Sequence, residues 1–331
     1  MSEAGVAGAA GAGRGAPHAA AVPAPDAGRL ERARWAAGEV LRAARLLADD
    51  AALRRAALVP VALTAAGCAV FAALTAAGDA ADGEVTGPGA LHLFTVAFVG
   101  LASMPPTLLQ RQWLRVALEA RRALGLPAGE DPFAGQGWVR RVAREWVKAL
   151  RQAVVVSAGL FPVVVVLSML PGRKPVTAAL GVAWAFYWVL VDAFELPLEA
   201  VPGPRRGAGT PWYARALQRL AAALWVLRPF GWAGRVLARL TRPWNEEVRF
   251  TERHPWETAG FGLAVGAALA IPGVGFFFRA IGIVAATSLN ARLEGDAAEA
   301  GGEAAGGAGA APQDGAPPAA HASPSPGSSA T

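Results

Sequence analysis

Long apolar stretches with almost no charge alternate with arginine-rich stretches along this chain. The apolar runs before residue 200 are 56–77, 89–109, 153–170 and 176–198. A helix of roughly 20 apolar residues covers the hydrocarbon core of a bilayer, whereas a soluble core does not need runs of that length. The pattern therefore predicts an all-α integral membrane protein with about four transmembrane helices.

The last apolar stretch, residues 258–289, is too long for one plain span and contains helix-breaking residues. Pro272, Gly273 and Gly275 interrupt it near its middle. Irregular backbone is tolerated at membrane depth where protein or water receives its polar groups. Two structures fit this stretch: a strongly tilted, kinked helix, or a broken or re-entrant pair of helices.

Three further stretches combine arginine with tryptophan and leucine at helical spacing: residues 29–55, 111–151 and 212–240. This pattern predicts amphipathic interfacial helices, although a helix packed on a soluble domain has the same pattern. Cytoplasmic loops carry an excess of arginine and lysine. We therefore expect a multi-pass protein of the cell inner (plasma) membrane, with its N-terminus and both long basic loops in the cytoplasm.

Composition divides the chain into three parts. Residues 1–28 and 293–331 consist mostly of alanine, glycine, proline and serine, and they have too few apolar side chains to offset the entropy of ordering. We predict a disordered N-terminal arm, a helical membrane domain at 29–292, and a disordered tail at 293–331. The whole chain is 54% apolar and 17% charged, against about 25% charged in soluble proteins, which also favours the membrane class.

The chain lacks the motifs of common enzymes and metal sites. It has one cysteine, Cys68, inside an apolar run, and its four histidines are far apart in sequence. We expect no metal, no cofactor and no enzymatic activity. The net charge of +6 comes with arginines that flank apolar runs, which indicates contact with anionic lipid headgroups and not with nucleic acid.

Acidic residues occur near the end of the fourth apolar run. Asp192, Glu195 and Glu199 are three and four residues apart, so one face of a helix would carry all three. Ionisable groups at membrane depth are costly and usually face protein or water. They could form a proton or cation relay. Alternatively, Asp192 pairs with an arginine of another helix, and Glu195 and Glu199 reach the headgroup layer.

Arg279 is a lone charge in the last apolar stretch, and it needs a partner. Three partners fit the sequence. Arg279 could form an ion pair with Asp192 or Glu195, or bind an anionic substrate beside the backbone of Gly273 to Gly275, where a broken helix would direct free N–H groups at an anion. It could also extend to the membrane interface.

Three segments give the chain a family resemblance over roughly residues 30–292. They are LLADDAALRRAALVPVALTAAG, AFYWVLVDAFELPLEA and TAGFGLAVGAALAIPGVGFFFRAIGIVAATSL. In order and spacing they resemble the family that joins bacterial CysZ-type sulfate permeases to etoposide-induced 2.4-like proteins. The resemblance implies a helical membrane protein in which some helices penetrate the bilayer only partly and, for the bacterial branch, sulfate entry into the cytoplasm. No segment matches a sulfate-coordinating motif.

These observations lead to one functional expectation and one alternative. We expect a CysZ-like permease or channel for a small oxyanion such as sulfate, passive or proton-assisted. Its path would include Arg279, Gly273, Gly275, Asp192 and Glu195. The alternative is a non-transporting membrane scaffold or lipid-binding protein that acts through its basic interfacial helices. One copy has few polar groups with which to line a pore, which favours a homo-oligomer.

Overall fold

The chain folds into helices, as seen in a computed structural model that describes residues 22–24, 26–81, 109–167, 173–203, 209–223, 228–269 and 275–307. In chain order the helices are α1 (Arg29–Asp49), α2 (Ala51–Ala81), α3 (Gln110–Ala123), α4 (Trp138–Leu167), α5 (Arg173–Ala193), α6 (Glu195–Glu199), α7 (Trp212–Ala223), α8 (Arg228–Thr241), α9 (Asn245–Arg253), α10 (Pro255–Leu269) and α11 (Gly275–Gly307), with a 3₁₀ turn at Arg242–Trp244. The all-α prediction is confirmed for these residues.

Within the part of the chain that the structure describes, two helical stretches are long and apolar enough to cross a membrane. They are Ala51–Thr75, with 25 residues, and Lys174–Glu199, with 26 residues. Only 24% of the most apolar part of the first and 22% of the second is buried inside the protein. A core helix of a soluble protein would be mostly buried, so these helices instead present apolar side chains such as Leu74 and Val182 outward.

A capping aspartate separates the first of these helices from the basic helix before it. The Asp50 carboxylate accepts hydrogen bonds from the backbone N–H groups of Ala52 and Leu53, both at 2.8 Å. These N–H groups have no partner within the helix, so the cap stabilises the start of α2. Pro60, which follows Leu58 and Val59, lies inside α2.

The second and third predicted spans have different outcomes. Apart from Leu109, the run 89–109 lies outside the described residues. The run 153–170 is described as far as Leu167, where it belongs to α4, which also contains the basic segment from Trp138 onward. We predicted a short amphipathic helix followed by a separate span. The two instead form one helix because no proline or glycine lies between residues 138 and 158.

The acidic end of the fourth apolar run is not one continuous helix. α5 ends at Ala193, and the short α6 begins at Glu195. Pro197 explains the break, because its ring would clash with the carbonyl of Ala193 in a continuous helix. The three acidic residues therefore do not lie on one continuous helix, contrary to our prediction. Asp192 belongs to α5, and both glutamates belong to α6.

The last apolar stretch has a helix on each side of its predicted break. α10 ends at Leu269 and α11 begins at Gly275, while residues 270–274 lie outside the described part. By internal packing the chain divides into two units, Met1–Arg292 and Leu293–Thr331. α11 continues to Gly307, into the tail that we predicted to be disordered. Its alanines and glutamates are good helix formers.

The basic helix α1 packs along α10. A Cβ atom at Gly260 would lie only 2.1 Å from the backbone oxygen of Ala33, so the two helices approach at a distance that only glycine allows. Arg32 of α1 forms an ion pair with the buried Glu257 of α10. α1 is therefore a packed helix of this unit, with Ala36, Val40 and Ala43 buried.

This close approach predicts a position-specific effect of adding one methyl group. Gly260→Ala forces α1 and α10 apart and should lower the free energy of unfolding by about 1–3 kcal/mol. Gly266→Ala, in the same helix, is the matched control, because a Cβ at Gly266 has no atom within 4 Å. Melting temperatures of the two variants in detergent micelles test the prediction. Equal values would contradict it.

Candidate functional site

Ionisable side chains from several helices meet around α6. We define the buried charge cluster as Glu145 and Lys148 of α4, Asp192 of α5, Glu195 of α6 and Arg279 of α11, together with the polar or aromatic Gln110, Trp113 and Trp244 around them. Charges inside a protein are costly unless they are paired. Their convergence from distant parts of the chain makes this cluster the candidate site.

The Glu195 carboxylate lies at the centre of the cluster, surrounded by N–H donors. Its Oε1 accepts hydrogen bonds from Lys148 Nζ at 2.5 Å and from Gln110 Nε2 at 2.9 Å. Its Oε2 accepts one from the indole Nε1 of Trp244 at 3.2 Å. Glu195 is 8% exposed. Three elements therefore direct donors at a single buried carboxylate.

Lys148 remains a cation despite its burial. Burial lowers the pKa of its ammonium group, but the charge of Glu195 and its hydrogen bond, with Glu199 and Glu145, more than offset that effect and raise the pKa above its usual value. The ammonium group also lies 5.9 Å from the centre of the Trp244 ring. Glu195 and Lys148 therefore form a charged, buried pair.

Arg279 lies beside the same carboxylates. Its guanidinium carbon is 5.6 Å from the ring centre of Trp113, which is 1% exposed. Asp192 and Glu195 are its neighbouring negative charges, and Asp192 also hydrogen-bonds to Gln152 of α4. The structure thus brings together three of the predicted site residues, Arg279, Asp192 and Glu195.

The two predicted glycines are placed differently. Gly275 is the first residue of α11, so Arg279 follows it by one turn. Gly273 lies outside the described residues. The first turn of a helix has N–H groups without partners in the helix and carries the positive end of the helix dipole. Arg279 therefore adds its charge close to an already electropositive helix end.

Negative charge exceeds positive charge in this region when every group is ionised. The cluster contains three carboxyl groups, of Glu145, Asp192 and Glu195, and two cations, Lys148 and Arg279, while Arg144 and Glu199 lie at its edge. Burial raises the pKa of Glu145, and so does the charge of Glu195, while Lys148 and Arg144 oppose the rise. The net result is a pKa above the usual value, so Glu145 retains a proton to higher pH than an exposed glutamate.

The sequence did not single out most of the residues around Glu195. Lys148, Glu145 and Gln152 lie in or beside a basic amphipathic segment, where any polar residue resembles a solvated one. Gln110 and Trp113 lie in the first turn of α3, the amphipathic helix that precedes α4. Among the described residues, no group of three or more histidine, cysteine or acidic side chains is placed to hold a metal ion.

In comparisons with protein-family models, curated proteins and solved structures, nothing matches this chain. The resemblance to CysZ-type permeases therefore stays a prediction. The functional argument now depends on the chemistry of the buried charge cluster.

Proposed function

We propose that this chain is an inner-membrane permease or channel for a small oxyanion such as sulfate, assisted by protons bound at the buried charge cluster. The observation that carries the proposal is the set of donors around Glu195. Lys148, Gln110 and Trp244 all donate to its carboxylate, and Arg279 lies beside it. A carboxylate presents the same kind of acceptor oxygens as a small oxyanion, so these donors suit such a substrate.

The membrane location is part of the proposal. It is supported by the two long apolar helices and by the outward-facing apolar side chains on them. We propose that the arginine-rich segments lie on the cytoplasmic side, as the distribution of positive charge predicts. The cluster lies next to the acidic end of the Lys174–Glu199 stretch, so ions would reach it from that side of the bilayer.

Proton binding would control access to these donors. With all carboxylates ionised, the cluster repels an anion, and Lys148 and Arg279 are engaged by Glu195 and Asp192. A proton on Glu145 removes one negative charge next to Lys148. Protonation of the cluster therefore favours binding of an oxyanion, in place of a carboxylate, at these donors. A proton and an anion would then cross the membrane together.

The test is uptake of radiolabelled sulfate into liposomes that contain the purified full-length chain. We expect saturable uptake by the wild type and none by Arg279→Ala, because a guanidinium that can receive the anion is lost. Arg115→Ala is the matched control, since Arg115 is exposed on α3 and bonds only to Gln112 in the described structure. It should retain uptake.

Two further comparisons sharpen this experiment. Uptake should rise as the pH falls towards the pKa of Glu145, which lies above the usual value, and Glu145→Gln should weaken this pH dependence because glutamine does not titrate. Size-exclusion profiles and melting temperatures show whether each variant is folded. Wild-type uptake equal to that of empty vesicles would reject the sulfate assignment.

The alternative function is a non-transporting scaffold or lipid-binding protein. The observation that favours it is a row of exposed arginines on α8. If no oxyanion is transported, this alternative takes first place. The same arginines carry an inference that does not depend on transport.

A further inference from the structure

An exposed stripe of arginines with one tryptophan runs along α8. We define the α8 stripe as Arg228, Trp232, Arg235 and Arg239. These residues are four, three and four positions apart, so they share one face of the helix, and all four are exposed. Trp232 is 63% exposed, an unusual state for the largest apolar side chain.

The opposite face of α8 is fixed against α7. A Cβ atom at Gly234 would lie 2.9 Å from the backbone oxygen of Ala214, so the two helices are in close contact. The Tyr213 hydroxyl of α7 hydrogen-bonds to the Thr241 hydroxyl at 2.6 Å. Leu237 is 3% exposed, within a core that also contains Trp184 and Trp188 of α5. The hairpin α7–α8 therefore holds the stripe outward, beside a stretch that can cross a membrane.

The α7–α8 hairpin has no acidic residue of its own to neutralise its arginines. Residues 209–244 contain arginine at 215, 219, 228, 235, 239 and 242 and no acidic residue. Among the described residues, Arg215 pairs with Glu252 at 2.7 Å, whereas the stripe arginines form no ion pair. Some exposed arginines elsewhere form one, for example Arg122 with Glu119. The stripe is therefore positioned to receive negative charge from another molecule.

We propose that the α8 stripe binds the phosphate headgroups of anionic lipids at the membrane surface. A guanidinium forms paired hydrogen bonds with phosphate oxygens. An exposed indole suits the boundary between headgroups and acyl chains, where its ring is in contact with apolar chains and its N–H with polar groups. The mixture of arginine and tryptophan on one rigid face, beside the Lys174–Glu199 stretch, favours a lipid surface over an acidic protein or a free anion.

The test uses the full-length chain in uncharged detergent micelles, with added phosphatidylglycerol or phosphatidylcholine. A ligand that binds the folded state raises the melting temperature. We expect phosphatidylglycerol, but not phosphatidylcholine, to raise that of the wild type. Each arginine near an anionic surface changes binding by about fivefold, so R228Q/R235Q/R239Q should need roughly a hundredfold more phosphatidylglycerol for the same rise.

Control variants and ligands separate the alternatives. R34Q/R45Q/R115Q removes three exposed arginines outside the hairpin and should respond like the wild type. An equal response of the two triple variants would overturn the proposal. A rise produced equally by glycerol 3-phosphate, or by polyglutamate, would also overturn it, in favour of a free anion or an acidic protein respectively.

A second measurement does not depend on melting. Acyl-brominated phosphatidylglycerol should quench more fluorescence in the wild type than in Trp232→Phe, because bromine quenches indoles that contact the lipid. Equal quenching would show that Trp232 does not reach the lipid and would overturn the assignment.

Discussion

Glu195→Gln should lower the free energy of unfolding by about 3–5 kcal/mol, because it removes the carboxylate that pairs with the largely buried Lys148. The Lys148 side chain is 20% exposed and that of Glu195 10% exposed, and their charged atoms are 2.5 Å apart. Glutamine keeps the size of the side chain but not its charge. The measurement is unfolding of the full-length chain in mixed detergent micelles, followed by circular dichroism.

A double-mutant cycle separates loss of the pair from loss of packing. Lys148→Met alone leaves Glu195 buried and charged, with the neutral donors Gln110 and Trp244 and the nearby charge of Arg279. The double variant removes both members of the pair, and we expect it to lose less stability than the sum of the single variants. Losses that add within error would mean that the pair has no special role in the fold.

The sequence predicted those parts of the fold that depend on local pattern. The apolar run that starts near Ala56 lies within the single helix α2 (Ala51–Ala81), as its length and composition predict. The sequence pattern did not predict that α4 would join the basic segment and the apolar run after it into one helix. An amphipathic helix and a following span differ in composition but not in backbone preference. The break after Ala193 could have been inferred from Pro197.

The candidate site was predictable only where charge stands out from an apolar background. Asp192, Glu195 and Arg279 lie in or next to uncharged runs, and this contrast singled them out. Lys148 and Trp244 come from basic stretches that contain many similar residues. Their position beside Glu195 follows from how α4 and the 3₁₀ turn pack against α6, and a pattern within one segment has no information about that packing.

Glu39 is the clearest example of a residue whose role is determined by packing and not by the sequence pattern. In the sequence it is one polar residue among the arginines of an amphipathic segment. In the structure it is 0% exposed. Its Oε1 pairs with Arg42 at 2.6 Å and with Arg292 of α11 at 3.1 Å, and its Oε2 accepts a hydrogen bond from the Ser288 hydroxyl at 3.2 Å. Glu39 therefore connects the first helix to the last one.

Glu39→Gln should destabilise the protein by about 3–5 kcal/mol, because it removes the charge of a buried carboxylate that pairs with two guanidinium groups. Glu119→Gln is the matched control. Glu119 pairs with Arg122 at the same sequence spacing, but their side chains are 30% and 57% exposed, so the loss should stay below about 1 kcal/mol. Unfolding in mixed micelles measures both variants. Equal losses would mean that Glu39 is solvated in the folded chain, and that α1 does not pack on α11 through this carboxylate.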